Sequence, residues 1–159
     1  MKVAIIMGSD SDWGVMKSAV EILKNFSVEV EVTVASAHRT PQKVHDFVKN
    51  SDAQIFIAAA GMAAHLAGVV ASFTTKPVIG VPINSEPFKG LDSLLSTVQM
   101  PGGVPVATMA VNGAKNAALF ATEILALQDN ELAEKLISYR EKMAAEIEVK
   151  DKKIKEALS

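Results

Sequence analysis

Ser36-Ala37-His38-Arg39-Thr40-Pro41 sets an imidazole beside a guanidinium, just after an apolar run and just before a helix start. An imidazole exchanges protons near neutral pH. A guanidinium offers a forked cation that suits phosphate. A strand-to-helix junction adds outward-pointing backbone N–H groups that favour anions. Together these residue types describe proton transfer on a phosphorylated small molecule. Gly8-Ser9-Asp10-Ser11-Asp12 is a second junction of the same topology. Its Gly/Ser turn suits an anion, but its two carboxylates do not suit a phosphate laid directly upon it. One of them better accepts hydrogen bonds from ribose hydroxyls or a ring amine.

Each of these readings has a plainer competitor. Ser and Asp in the first turn also serve as helix caps. His38 could cap or pack, and Arg39 could form a salt bridge to Asp12 or to a carboxylate at an interface. For His38, the surrounding Ser36, Arg39 and Thr40 favour the chemical reading. His65, in Ala63-Ala64-His65-Leu66, follows Gly61 near a third helix start, where ligand contact competes with a buried structural role. His45 reads as surface or interface.

Several chemistries lack their residues. The Gly8 turn is neither a Walker A loop nor a complete G-x-G-x-x-G, so nucleoside triphosphates and dinucleotides have no support. No serine lies in G-x-S-x-G. No His/Asp/Glu set has metal-ligand spacing, so no metal is expected. The chain has no Cys, which excludes disulfides, a thiol nucleophile and a thiolate zinc site. A flavin carrier is disfavoured by one Tyr and few loop aromatics. A net charge of −2 and a pI of about 5.9 advertise no basic face for nucleic acid.

The elements that must hold these residues alternate between strand and helix. Val3–Met7 is an apolar run of strand length, followed by a helical pattern over 12–26 with Ser11 or Asp10 as cap. Val28, Val30, Val32 and Val34 alternate with polar residues, which predicts a strand with one wet face near a sheet edge. Thr40 is placed to cap the next helix, and Pro41 suits its first turn. Ile55–Ala60 predicts a third strand, 63–74 an Ala-rich helix, and Val78–Val81 a fourth strand ending at Pro82. Residues 82–92 read as a loop and Leu91–Val98 as a short helix. Val104–Val111 predicts a fifth strand after the constrained run from Gln99, which would wall a pocket or pack on another subunit. Asn116–Leu127 predicts a helix, and Asp129 caps a long last one whose charged end, Lys150–Lys155, is expected to fray. Such alternation predicts a parallel sheet with helices on both faces. Ligands then bind at the strands' carboxyl ends, where Ser9–Asp12, Ser36–Arg39 and Gly61–His65 all fall.

The 159 residues suit one domain, 1–159. Hydrophobic residues make up 49% and mean hydropathy is +0.23, which is apolar for this size and suggests a buried subunit interface beyond the core. No apolar stretch reaches the ~18 residues of a membrane span. The N-terminal apolar run is too short for a secretory signal, so the cytoplasm is expected.

The two junctions above, with Trp13, Ala63-Ala64-His65-Leu66 and Val98-Gln99-Met100-Pro101-Gly102-Gly103-Val104-Pro105-Val106-Ala107-Thr108, closely resemble the 5-(carboxyamino)imidazole ribonucleotide mutase family. The resemblance runs from Lys2 to about Arg140. It implies a three-layer α/β/α, flavodoxin-like fold assembled as a homo-octamer, with active sites at subunit contacts and the C-terminal helix, 129–159, reaching a neighbour. It implies an isomerase of purine (IMP) biosynthesis that moves a carboxylate from the exocyclic nitrogen of the ribonucleotide to ring carbon 4, with no cofactor. The residue matching the family's acid/base is His38. Ser36 and Arg39, with Ser11 nearby, would hold the 5′-phosphate. Ser9 and Asp12 would line the pocket, Asp12 toward the ribose. Ala64, His65 and Leu66 would border the imidazole and the CO2, His65 as a contact and not a second catalyst. The resemblance also implies functional coupling to the ATP-dependent synthase that makes the carbamate.

Arg39-Thr40-Pro41 resembles the mutase type. The related carboxylases that use free CO2 typically carry Lys-Thr-Ala there; they are the first alternative. A non-catalytic phosphosugar-binding or nucleotide-binding module is the second. Met62 and Ala67 depart from the Gly and Pro of many relatives, which bears on the detail of the pocket.

Overall fold

Each long apolar run becomes a strand, and the turn residue that ends it hands the chain to a helix. The computed structural model describes residues 1–158. Its elements are β1 (Lys2–Met7), α1 (Trp13–Asn25), β2 (Glu29–Val34), α2 (Pro41–Asn50), β3 (Ile55–Gly61), α3 (Leu66–Phe73), β4 (Val78–Ile83), α4 (Leu91–Val98), β5 (Ala107–Thr108), α5 (Ala114–Ala126) and α6 (Asn130–Glu156).

The five strands form one parallel sheet in the order β2-β1-β3-β4-β5. Ile5 sits opposite Val32 on one side and Ile57 on the other. The chain steps outward from β1 to β2, then returns past β1 to β3. Right-handed crossovers therefore put α1 on one face and α2 to α4 on the other. The alternate residues of β1 follow that division: Ala4 and Ile6 join Val44 and Val48 of α2 and Val70 of α3 in one core cluster. Burial on both faces explains why β1, β3 and β4 are nearly continuous apolar runs. The reversal of direction leaves a crevice at the carboxyl ends of β1 and β3.

The chain divides into two compact units, Met1–Thr122 and a second beginning at Glu123, within α5. The first holds the sheet. In the second, the Asp129 carboxylate accepts the Leu132 N–H at 3.0 Å, the cap expected from sequence. Arg140 pairs with Glu123 at 2.6 Å.

Four expectations are corrected. The fifth strand shrinks to Ala107–Thr108, because Pro105 offers no N–H and β4 is its one neighbour. Lys150–Lys155 is helical, and the i,i+4 pair of Asp151 with Lys155 at 2.6 Å supports the last turns. β2 lies at the edge as expected but has no dry face: Val32 and Val34 are 41% and 39% exposed, and Glu31 is half-buried. With a neighbouring strand on one side only, it stays partly wet on both faces. The α3 helix starts at Leu66, three residues late, because Met62 takes a left-handed φ of 55°.

Candidate active site

Gly8 ends β1, and its N–H donates to the Ala59 carbonyl at 3.0 Å, which holds the turn against β3. Ser9 then caps a single 3₁₀ turn, Asp10–Asp12, through a reciprocal pair of bonds. The Ser9 hydroxyl accepts from the Ser11 N–H, and the Ser9 N–H donates to Asp12 Oδ2 at 3.1 Å. Neither Ser11 nor Asp10 caps α1 as expected: Asp12 stands at its cap position without a side-chain bond, and Ser9 caps the 3₁₀ turn before it. Asp12 is buried. Burial pushes its carboxyl above the ordinary value, and the hydrogen bonds from Ser9 and Ser11 partly oppose the rise.

The β2–α2 junction is stitched on itself. The Ser36 N–H donates to Thr40 Oγ1 at 2.9 Å, and that hydroxyl donates back to the Ser36 carbonyl at 3.2 Å. Thr40 occupies the cap position of α2 but makes no side-chain bond to the helix, so its expected cap becomes a loop clasp. The Arg39 N–H donates to Ser36 Oγ at 3.2 Å. Arg39 Nη2 reaches across to the Gly8 carbonyl at 2.9 Å. The salt bridge to Asp12 is not formed among the described residues; the guanidinium joins two loops instead.

His38 Nε2 lies 3.0 Å from His65 Nδ1, with the rings edge to face at 5.2 Å. One of the two nitrogens donates and the other accepts. His65 therefore meets His38 itself, across 27 residues. His45 lies apart, 3.0 Å from Asp46 and edge-on to Phe73, and holds the Asp46 carboxyl below its usual value.

A cavity of about 620 Å³ opens between these loops. Of the residues singled out in the sequence, Ser9, Ser11, Asp12, Ser36, His38, Arg39 and Leu66 line it. Ala64 does not; it is buried, and its carbonyl faces Thr97 Oγ1 at 3.5 Å. His65 borders it only through His38. Ala63, Met62, Asn84 and Ser85 line it too. Asn84 and Ser85 were legible only as part of a loop, although they too follow the carboxyl end of a strand. The run from Gln99 walls no part of it: Val104 and Val106 pack on the core, and the Met100 sulfur lies against Gly68.

The lining joins one guanidinium, one buried carboxylate, one imidazole and several hydroxyls. That set suits an anionic, hydroxyl-bearing molecule that exchanges a proton. No group of three His, Cys, Asp or Glu among the described residues is placed to hold a metal ion.

The AIR carboxylase family model matches residues 2–146. The N5-carboxyaminoimidazole ribonucleotide mutase of Methanocaldococcus jannaschii is 59% identical over 154 residues, 97% of this chain and 98% of that protein. The protein of the same name from Thermotoga maritima is 53% identical over 92% of this chain and 87% of its own. Among solved structures, PurE of Treponema denticola superposes with a TM-score of 0.87 at 35% identity, covering 96% of this chain and 97% of that one. Loop chemistry, strand order and similarity along nearly the whole length agree, and the chain belongs to the AIR carboxylase family.

Proposed function

We propose that this chain converts N5-carboxyaminoimidazole ribonucleotide into 4-carboxy-5-aminoimidazole ribonucleotide, an isomerisation within purine biosynthesis. One observation carries the reading: His38 and Arg39 stand side by side on a cavity that also holds Asp12, in a chain 59% identical to a mutase of that name.

Arg39 and Ser36 bind the 5′-phosphate, with Ser11 nearby. The Ser36 hydroxyl already accepts from the Arg39 N–H, so its proton is free for a phosphate oxygen. Asp12 is a buried carboxylate that needs donors, and ribose hydroxyls supply them. Ser9 completes that wall. Leu66 gives the ring an apolar border, and Ala64 and His65 back it.

His38 is the acid/base. It gives a proton to the exocyclic nitrogen as the C–N bond of the carbamate breaks. The bonding pair stays on nitrogen, and neutral CO2 is released beside the aminoimidazole ring. Carbon 4 then attacks the CO2, and the proton on that carbon returns to His38. Atoms and charge balance, and the catalyst ends as it began. Holding CO2 in the cavity replaces a second-order capture with a local one.

The whole chain is read as one catalytic domain of a cytoplasmic homo-octamer. Leu91, Leu95 and Val98 support assembly: they recur along one face of α4 and stay about half exposed. Ile137, Ile147 and Ile154 of α6 are likewise exposed. No helix among the described residues is long and apolar enough to cross a membrane. The instability of a carbamate makes coupling to the ATP-dependent synthase that supplies it useful.

The test is turnover of N5-carboxyaminoimidazole ribonucleotide by purified protein without ATP or metal, beside aminoimidazole ribonucleotide with bicarbonate. Fast use of the carbamate is expected. Preference for dissolved CO2 would make the chain a carboxylase, and silence in both would leave a binding module.

A further inference from the structure

The loop after β4 brings one more hydroxyl to the cavity. Gly61 pairs with Ile83 at the carboxyl ends of β3 and β4, so residues 61–62 and 84–85 meet there. The Met62 N–H donates to Ser85 Oγ at 3.2 Å. A Cβ on Gly61 would sit 3.4 Å from the Ile83 carbonyl and 3.5 Å from Ser85 Oγ, so the two turns touch closely. The backbone before Ser85 is pinned on both sides. Buried Ser93 donates to the Ile83 carbonyl at 2.8 Å, and the Asn84 N–H donates to Asn112 Oδ1 at 2.9 Å.

A serine hydroxyl has one proton to give. Among the described residues, Ser85 Oγ accepts from Met62 and donates to no protein acceptor. Its proton is therefore available to a molecule in the cavity it lines. The proposed substrate carries two anionic groups, a phosphate and a carboxylate. Arg39 is the one Lys or Arg on the lining and lies next to Ser36, at the opposite loop. The carboxylate must find other donors.

A neutral donor is the better choice for that group. Loss of CO2 turns an anion into a neutral molecule. A cation clamped on the carboxylate would stabilise the reactant more than the transition state and slow the step. A hydroxyl orients the carboxylate while holding it loosely.

We propose that Ser85 binds the migrating carboxylate, donating its hydroxyl proton to a carboxylate oxygen and keeping the released CO2 within reach of carbon 4. This rests on the isomerase reading above. The Met62 N–H fixes the oxygen of Ser85, and the Asn112 side chain fixes the loop that carries it.

The experiment compares wild type, Ser85→Ala and Ser85→Thr in the full-length protein. Each is assayed for kcat, for the share of carbamate that ends as aminoimidazole ribonucleotide plus CO2, and for the Kd of aminoimidazole ribonucleotide, which lacks the carboxylate. In Ser85→Ala, kcat is expected to fall about tenfold or more. The escaping share should rise, the Kd should stay within about twofold, and Ser85→Thr should recover both kcat and partition. Unchanged kcat and partition in Ser85→Ala would overturn the proposal. So would an equal loss of Kd, which would make Ser85 a prop for the Met62 turn. Failure of wild type to turn over the carbamate would instead sink the isomerase reading, so the two failures are distinguishable.

Discussion

Arg39 Nη2 donates to the Gly8 carbonyl at 2.9 Å, and this bond ties the β2–α2 loop to the β1–α1 loop across the mouth of the crevice. One guanidinium nitrogen is occupied by protein, which restrains the side chain and leaves the rest of the fork for the phosphate that the proposed function assigns to it. Arg39→Ala removes the tie and, on the proposed function, the phosphate's charged partner as well. Charge-assisted hydrogen bonds contribute about 1.5–3 kcal/mol, so KM should rise on the order of 10- to 100-fold. Arg39→Lys should recover only part of this, because an ammonium cannot hold Gly8 and a phosphate in two fixed directions at once. Steady-state kinetics decide it, and an unchanged KM in Arg39→Ala would remove this residue from the site.

His38 and His65 share one hydrogen bond, and the proposed function gives them different roles. His38→Asn should lower kcat by about 10²-fold or more, with the fold and the Kd of aminoimidazole ribonucleotide preserved. His65→Asn alters one hydrogen bond to His38; a typical intramolecular bond contributes about 0.5–1.5 kcal/mol, so the variant should cost roughly tenfold or less. Equal, severe losses in both variants would make the pair a joint acid/base and contradict the assignment of His65 as a contact.

Asp12 makes a prediction about pH. Burial raises its carboxyl above the ordinary value of about 3.9. Between the ordinary and the raised value, the folded chain holds this proton and the unfolded chain has lost it. The folded state then binds more protons, so stability falls as pH climbs through that window. Below the window the penalty is absent; above it, the full cost of burying the charge remains. Asp12→Asn should abolish this part of the slope while its amide oxygen still accepts from the Ser9 N–H. Urea midpoints measured at steps across the acid range test it. Parallel profiles for the two proteins would show that Asp12 titrates normally.

Three of the four loops around the cavity were legible in the sequence because their residues carry charge, a ring or a cap at a strand end. Asn84 and Ser85 were not, since nothing in a Pro/Asn/Ser loop separates a wall from a connector. The His38–His65 distance was equally hidden. It depends on β1 lying between β2 and β3, and no local pattern states that order. Propensity misled in the other direction at β5, where Val104, Val106 and Val111 suggest a strand that Pro105 and the lack of a second neighbour prevent. The left-handed turn at Met62 was invisible for a different reason: L side chains rarely adopt it, and here the Ser85 hydroxyl holds the Met62 amide in place.

Gly80 shows how tightly α4 is laid on the sheet. A Cβ there would lie 2.4 Å from Thr97 Cγ2, 3.1 Å from Val106 Cγ1 and 3.3 Å from Ala67 Cβ. Thr97 cannot simply swing away. It is buried, and its hydroxyl donates to the Ser93 carbonyl at 2.7 Å. Ser93 in turn holds the Ile83 carbonyl, just before the Asn84–Ser85 wall. Gly80→Ala should therefore destabilise the fold by about 1–3 kcal/mol, as overpacking does. Thr97→Ser removes the methyl that clashes and keeps the hydroxyl. The double variant should then recover much of the loss, giving a coupling of about 0.5–3 kcal/mol in a double-mutant cycle by urea denaturation. Simple additivity would mean that the added methyl is accommodated elsewhere, by Val106 or Ala67, and that Thr97 is not what limits the approach of α4 to β4.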